Sequence, residues 1–491
     1  MMIRWKRYWQ LRMYRHCIII LNVFKKEREK IMLGILQFIQ QVLSTPAIFV
    51  GLIALLGLLL QRQDPQTCIK GTIKTILGFI VLNAGASVVQ DSIIPFGELF
   101  QAAFHVEGVV PNNEAITSLA LNSYAVQTAS IFALGMCANI VLARFSKLKY
   151  IFLTGHHALY MSCLISIIMS ISGLKGAKLI IAGALLLGLV MSVFPAIMQP
   201  TIEEITGDDS LALGHFGSGC YWLSAQIGKL FGKNENTKTT EDINFPTTLS
   251  FLRENTISIA LAMFLCYIVV SGAAVFTAPA EAAKIIGENN WIIYSIIQSI
   301  TFSAGIYIVL SGVRMLINEI VPAFKGISEK LVPNAKPALD CPIVFPYAPN
   351  AVLIGFFCSF IGGIVALAIL ALMGKAGLSV AIVLPGAVLH FFCGATAGVC
   401  GNARGGLKGC IAGAFVHGVV ATFLIAGMYP VLSSMGFANT TYSDTDFTIV
   451  GIIFGNLTKI VSGDMMLGII VVLFLLPIIY NLLTGKKKAN V

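Results

Sequence analysis

From Met32 to about Gly485 long apolar runs alternate with short polar breaks, and this alternation predicts the elements. Runs near 34–60, 121–143, 177–196, 256–276, 291–312, 351–374, 379–399, 408–434 and 447–483 each approach or exceed the about 20 residues a helix needs to cross a hydrocarbon layer. The last, which contains Lys459 and Asp464, reads as two short elements. An amphiphilic helix is predicted over 70–89, a polar excursion over 90–118 and an aqueous connector over 229–254. In residues 312–352, Arg314, Glu319, Lys325, Glu329 and Lys330 suit an amphipathic interfacial or domain-bridging helix, while Pro333, Pro337, Pro342, Pro346 and Pro349 prevent one uninterrupted helix. The expected fold class is an all-α polytopic membrane protein, since segments alternating with the period of a barrel strand are few.

Composition sharpens this picture in two places. With 57% hydrophobic and 11% charged residues among 491, there is too much apolar surface for one soluble core. Nine Lys/Arg and two Glu fall within residues 1–30, so they carry +7 of the formal charge of +10 and leave about +3 on the rest. A basic nucleic-acid face is therefore not expected. Residues 1–31 read either as a basic interfacial tail or as upstream sequence from a mis-assigned start, and Lys486, Lys487 and Lys488 mark a cytoplasmic C-terminal tail. The 11 cysteines are scattered singly through apolar sequence and read as small buried hydrophobes.

Polar groups inside such a chain are costly, and they mark candidate chemistry. The strongest concentration is TIEEITGDDSLALGHFGSGCYW, residues 201–222. Asn83 sits among Gly85, Ala86 and Ser87, where close helix packing competes with a cavity-facing role. In LTGHHALYMS, residues 153–162, adjacent histidines point about 100° apart on a helix and do not form the i,i+4 pair of a simple metal site. A helix start with Thr154 near the cap and His156 at a polar mouth fits as well. Asp340 lies in the proline-broken stretch, where an ionisable residue faces water or substrate, or else caps a helix. The glycines of 394–406 lack the P-loop pattern and read as a turn or re-entrant element.

An internal echo adds organisation. IIPFGELF (93–100), VVPNNEAITSL (109–119) and LTGHHALYM (153–161) recur in order as IVPAFKGI (320–327), LVPNAKPALDC (331–341) and LPGAVLHFF (384–392). Duplicated units with polar breaks are a common plan of secondary transporters, with substrate held between them.

KGTIKTILGF (70–79), LTGH (153–156), PTIEEITGD (200–208), LGH (213–215), GVRMLINEI (312–320), FKGIS (324–328), LVPNAKPALDC and YAPNAV (347–352) together resemble the membrane-embedded enzyme IIC of the bacterial phosphoenolpyruvate-dependent phosphotransferase system, in its L-ascorbate (SgaT/UlaA) family. The resemblance covers 32–485. It implies about eleven transmembrane helices, with interrupted or re-entrant segments and amphipathic connections. Two repeats, about 70–200 and 312–434, would contribute to a core and a V-shaped dimerisation subdomain of a homodimer in a bacterial inner or plasma membrane. It also implies a subunit that is no enzyme by itself. That subunit would bind and move L-ascorbate or a related sugar-like substrate, which a cytoplasmic IIB protein, charged by IIA, phosphorylates. No cofactor or metal is implied, and Cys341, which lacks a surrounding soluble domain, reads as core.

The resemblance places His215 at the family's binding histidine and Asp340 at its binding aspartate. Tyr160 and Phe216 stand where the family has glutamines, and Asn83 and Ala86 where it has a polar pair. Aromatic rings stack on sugars but remove amide donors, so ascorbate itself is questioned while a pentose, hexitol or sugar acid stays open. The rival reading is a proton- or cation-coupled carrier with Asp208, Asp209, Asp340, His215 and Asp464 as relays; a non-transporting membrane scaffold is the third.

Overall fold

The computed structural model describes residues 46–488 except 106–107, 233–236, 244–250, 253, 435 and 438–439. The basic N-terminal segment lies outside the described residues, as do the side chains of Lys486, Lys487 and Lys488. In chain order the main elements are α1 (Pro46–Leu60), α2 (Pro65–Phe104), β1 (Gly108–Pro111), α3 (Asn113–Phe145), β2 (Tyr150–Phe152), α4 (Gly155–Ile171), α5 (Gly176–Thr206), β3 (Ala212–Leu213) and α6 (Ser218–Phe231). After the connector come α7 (Asn255–Thr277), α8 (Pro279–Ile286), α9 (Trp291–Leu331), β4 (Lys336–Leu339), a 3-10 turn (Cys341–Tyr347), α10 (Pro349–Lys375), β5 (Ile382–Val383), α11 (Ala387–Ser433), β6 (Thr440–Thr441), α12 (Thr445–Leu457) and α13 (Gly463–Lys488).

The protein is an all-α polytopic membrane protein. Among the described residues seven helices are long and apolar enough to cross a membrane, with α4 and α12 as shorter apolar helices. Among these, α11 counts once although it is folded in two.

That fold in α11 is at Gly406, whose φ of 58° and ψ of −150° lie outside helical space. The arms 387–405 and 407–433 run back along each other, so that a side chain at Gly401 would meet the Gly409 carbonyl. The glycine-rich stretch is thus helical up to a single turning residue. Alanine at 406 would be strained there by about 1–3 kcal/mol, and its Cβ would fall on the Lys238 carbonyl. Gly406→Ala is expected to lower the thermal midpoint of the detergent-solubilised protein by several degrees, and an unchanged midpoint would mean the turn adapts.

Two further expectations are corrected. Residues 90–104 are not a polar excursion but the second half of α2: Ile93, Phe96, Leu99, Phe100 and Ala103 are buried on one helical face while Asp91, Glu98 and Gln101 stay exposed. Likewise 291–312 and the bridging helix after it form one helix, α9, which ends before Pro333. The two long helices α2 and α9 cross closely, because a Cβ on Gly85 would lie 2.6 Å from the Val309 nitrogen. This close approach supplies the packing reason for small residues near Asn83.

The strands have no counterpart in the sequence reading. Both three-stranded sheets are parallel, in the orders β5-β1-β6 and β2-β4-β3. Each takes its central strand from one half of the chain and its flanking strands from the other. The order of elements is the same over 65–231 and 291–457: long helix, strand, helix, strand, helical hairpin, strand, short helix. Pro111 ends β1 whereas Pro333 lies in the turn before β4, so the middle pair of echoed motifs marks chain breaks that are several residues out of register. Bonds such as Asn112 N–H to Thr441 O (2.9 Å) and Leu153 N–H to Ala338 O (2.9 Å) satisfy backbone groups that lipid would leave unpaired.

Candidate functional site

All six strands run out at their C-terminal ends into one polar cavity of about 190 Å³. The segment after β1 contributes Asn113 and Glu114, that after β2 His156, His157 and Tyr160, and that after β3 His215. Asp340 and Pro342 follow β4, Val388 and Phe392 follow β5, and Asp444 follows β6. Arg314 of α9 completes the lining and is its only permanent cation among the described residues. Because the strands are short and followed directly by helices, the cavity gathers helix starts, whose free N–H groups favour oxygen-rich ligands.

At the mouth, the side chains of His156 and Asp340 are 22% and 39% exposed, and His156 Nε2 lies 3.5 Å from Asp340 Oδ2. The backbone N–H of Cys341 donates to Asp340 Oδ1 at 2.7 Å, so this residue caps the 3-10 turn and also faces the cavity. Cys341 itself is buried. Thr154 precedes α4 without a side-chain capping bond.

Deeper in, His157, His215 and Asp444 are all buried. The two imidazoles have centroids 3.8 Å apart, and their Nε2 atoms lie 3.7 Å and 4.0 Å from Asp444 Oδ2. His215 Nε2 also lies 3.8 Å from Asp340 Oδ1. Asn113 Nδ2 and Ser443 Oγ donate to Asp444 Oδ1 at 2.9 Å and 2.7 Å, which leaves Oδ2 turned toward the histidines. The Phe216 backbone N–H donates to His157 Nδ1 at 3.2 Å, so a neutral imidazole keeps its proton on Nε2. His215 Nδ1 is paired with the Tyr221 hydroxyl at 2.8 Å.

Three groups of possible metal ligands converge here, namely His156 with His157 and Asp340, His157 with His215 and Asp444, and His215 with Asp340 and Cys341. The first two need a lone pair on His157, and the bond from Phe216 directs an N–H into the cavity instead. The imidazoles face carboxylate oxygens at 3.5–4.0 Å, too far for direct hydrogen bonds, so that a hydroxyl group placed beside such a pair can reach both.

Of the residues expected from sequence, His215, Asp340 and Tyr160 meet in this cavity. Phe216 does not line it: its ring packs against Phe152 (4.7 Å), Phe447 (5.4 Å) and Phe194 (6.0 Å), and only its backbone touches the site. A residue adjacent to a cavity-facing histidine turns the other way, into the apolar core. Asn83 and Ala86 lie on α2 with side chains outside the described residues.

The acidic motif before His215 has other work. Arg404 binds Glu204 through two bonds of 2.7 Å and 2.9 Å, Asp209 accepts from Lys336 at 2.8 Å, and Asp208 caps Ser210. Partial burial pulls the Lys336 pKa down, but Asp209 and Glu203 outweigh it and hold it above the usual lysine value. Asp464 is an exposed partner of Lys178.

Asn113, Glu114, His157 and Asp444 were missed as candidates. Asn113 and Glu114 follow a proline within an echoed motif, and Asp444 falls in a polar break between apolar runs, the same signal that marked Asp340.

The chain spans 63% of the length of a curated relative, the "Ascorbate-specific PTS system EIIC component" of Mycoplasma pneumoniae, to which it is 25% identical over 422 residues covering 76% of this chain. Residues 41–446 match the family EIIC-GAT, described as the PTS system sugar-specific permease component. That match covers most of the chain, from α1 to the start of α12, and with it every residue that lines the cavity. This multi-pass membrane protein therefore belongs to the family of PTS system sugar-specific permease components.

Proposed function

We propose that this chain is the permease subunit of a phosphotransferase system, holding L-ascorbate or a related sugar-like substrate and presenting it to a separate IIB protein charged by IIA. The observation that carries this reading is the cavity at the ends of both sheets, where imidazoles and carboxylates from the two halves face each other across a small polar space. His215 and Asp340 would bind hydroxyl groups, with Tyr160 beside them, while Phe216 would act only by packing. The two repeats would contribute to the core and V-shaped dimerisation subdomains of a homodimer, and no catalytic residue is assigned because phosphoryl transfer belongs to the partner. An ion-coupled carrier is less well supported, since Asp208, Asp209 and Asp464 are engaged in caps and ion pairs rather than in the cavity.

The test is uptake of labelled ascorbate, xylitol and sorbitol in a transporter-deleted bacterial strain expressing this chain, with and without a IIA/IIB pair. Partner-dependent appearance of a phosphorylated product is expected. Accumulation of free substrate without partners would transfer the support to ion coupling.

A further inference from the structure

Away from the polar cavity, a second recess of about 320 Å³ opens between α2, α7 and α10, and among the described residues apolar side chains alone line it. Its floor is buried: Phe96 and Phe100 of α2, Val270 of α7 and Leu384 after β5 are each no more than 5% exposed. Its rim is open, with Val269 of α7 62% and Ile364 of α10 45% exposed. Both rim residues stand near the middle of the membrane spans Thr256–Thr277 and Pro349–Lys375. The recess therefore opens at hydrocarbon depth and is continuous with the lipid-facing surface of these spans.

What fills it follows from that position. Water finds no polar group to hold it there, and an empty recess leaves its lining short of dispersion contacts. A helix of a second copy, about 10–12 Å across with its side chains, is too wide to enter between α7 and α10. A methylene group takes up about as much room as a water molecule, roughly 30 Å³, so the recess holds roughly ten of them in a row. We infer that this recess is a binding site for one acyl chain of a membrane phospholipid, lodged with α2 and α7 on one side and α10 on the other. Moving an acyl chain out of bulk lipid gains nothing from the hydrophobic effect, so dispersion contact with the floor is what holds it. Leu384 and Pro385 line the recess while Val388 and Phe392, farther along the same segment, line the polar cavity. The lodged acyl chain thus backs the stretch that separates the two spaces.

Native mass spectrometry of the purified full chain, stripped of lipid in detergent and then supplied with dioleoylphosphatidylcholine, tests this. About one phospholipid per protomer is expected to stay bound after the detergent is removed. Val270→Phe raises a ring from the floor and Val269→Trp spreads an indole across the rim, and each should lower the retained fraction by about fivefold or more. Val269 is a surface residue, so its variant carries the test even if Val270→Phe does not fold. Leu372→Phe, at a 66% exposed position of α10 outside the recess, should retain lipid as the wild type does. Equal retention by the wild type and the folded recess variants overturns the inference, as does a wild type that retains no lipid. Retention unchanged while the ratio of dimer to monomer shifts overturns it too, and assigns this face to a second copy.

Discussion

Asp340→Asn is expected to weaken binding of the preferred substrate by about tenfold while leaving the thermal midpoint almost unchanged. The split arises from the two jobs of this side chain. One oxygen accepts the Cys341 backbone N–H at 2.7 Å, a capping bond that asparagine makes as well as aspartate. The carboxylate also faces His156 and His215 across the cavity at 3.5 Å and 3.8 Å, and a hydroxyl bond to a charged group is worth about 1.5–3 kcal/mol, against about 0.5–1.5 kcal/mol for one to a neutral acceptor. Asparagine keeps the cap and loses the charge. Asp340→Ala removes both, so it should bind as poorly and also melt earlier, by the about 1 kcal/mol of a lost cap. Calorimetry and thermal unfolding on the three proteins separate these effects. Wild-type affinity in the asparagine variant would show that the carboxylate is a cap alone.

Much of this arrangement was legible in the chain because membrane insertion magnifies a few signals. Apolar length gave the spanning helices, and a carboxylate at a proline-broken stretch gave Asp340. The same logic failed at α2, where short glycine- and proline-containing words looked like a loop although the burial of Ile93, Phe96 and Phe100 follows a helical face. The strands were illegible for a different reason. Two to four residues carry no usable period, and the partners that satisfy β1 lie some 270 to 330 residues away on β5 and β6. Since every site residue except Arg314 follows one of these strands, the gathering of the site could not be read either. His215 was found through its motif. His157, one position from a histidine already noted, needed the bond from Phe216 to establish which nitrogen faces the cavity.

The opposite extreme, a residue whose role lies wholly in packing, is Gly418. On the second arm of α11 it crosses α10, and a Cβ there would fall on the Ser359 carbonyl oxygen and lie 3.0 Å from the Gly363 nitrogen. Gly362 faces back onto the Phe415 carbonyl in the same way, so both helices need glycine to approach. What that approach secures is a buried bridge: Ser359 Oγ lies 2.8 Å from His390 Nδ1 and 2.9 Å from His417 Nδ1. One hydroxyl proton serves a single acceptor, so one imidazole accepts from Ser359 while the other donates to it. Valine at 418 has no flexible neighbour to displace, only backbone. Gly418→Val is therefore expected to cost about 3 kcal/mol or more, the upper end for overpacking, because it also opens the histidine bridge. His390 stands in the chain between Val388 and Phe392, which line the cavity, so affinity should fall together with stability. Gly468→Ala supplies the contrast. Its Cβ meets nothing within 4 Å on α13, and alanine should there be neutral or stabilising by about 0.5–1 kcal/mol. Thermal unfolding of the two variants side by side decides the matter: equal midpoints would mean that α10 and α11 tolerate separation, and the bridge would not be what holds this wall of the cavity.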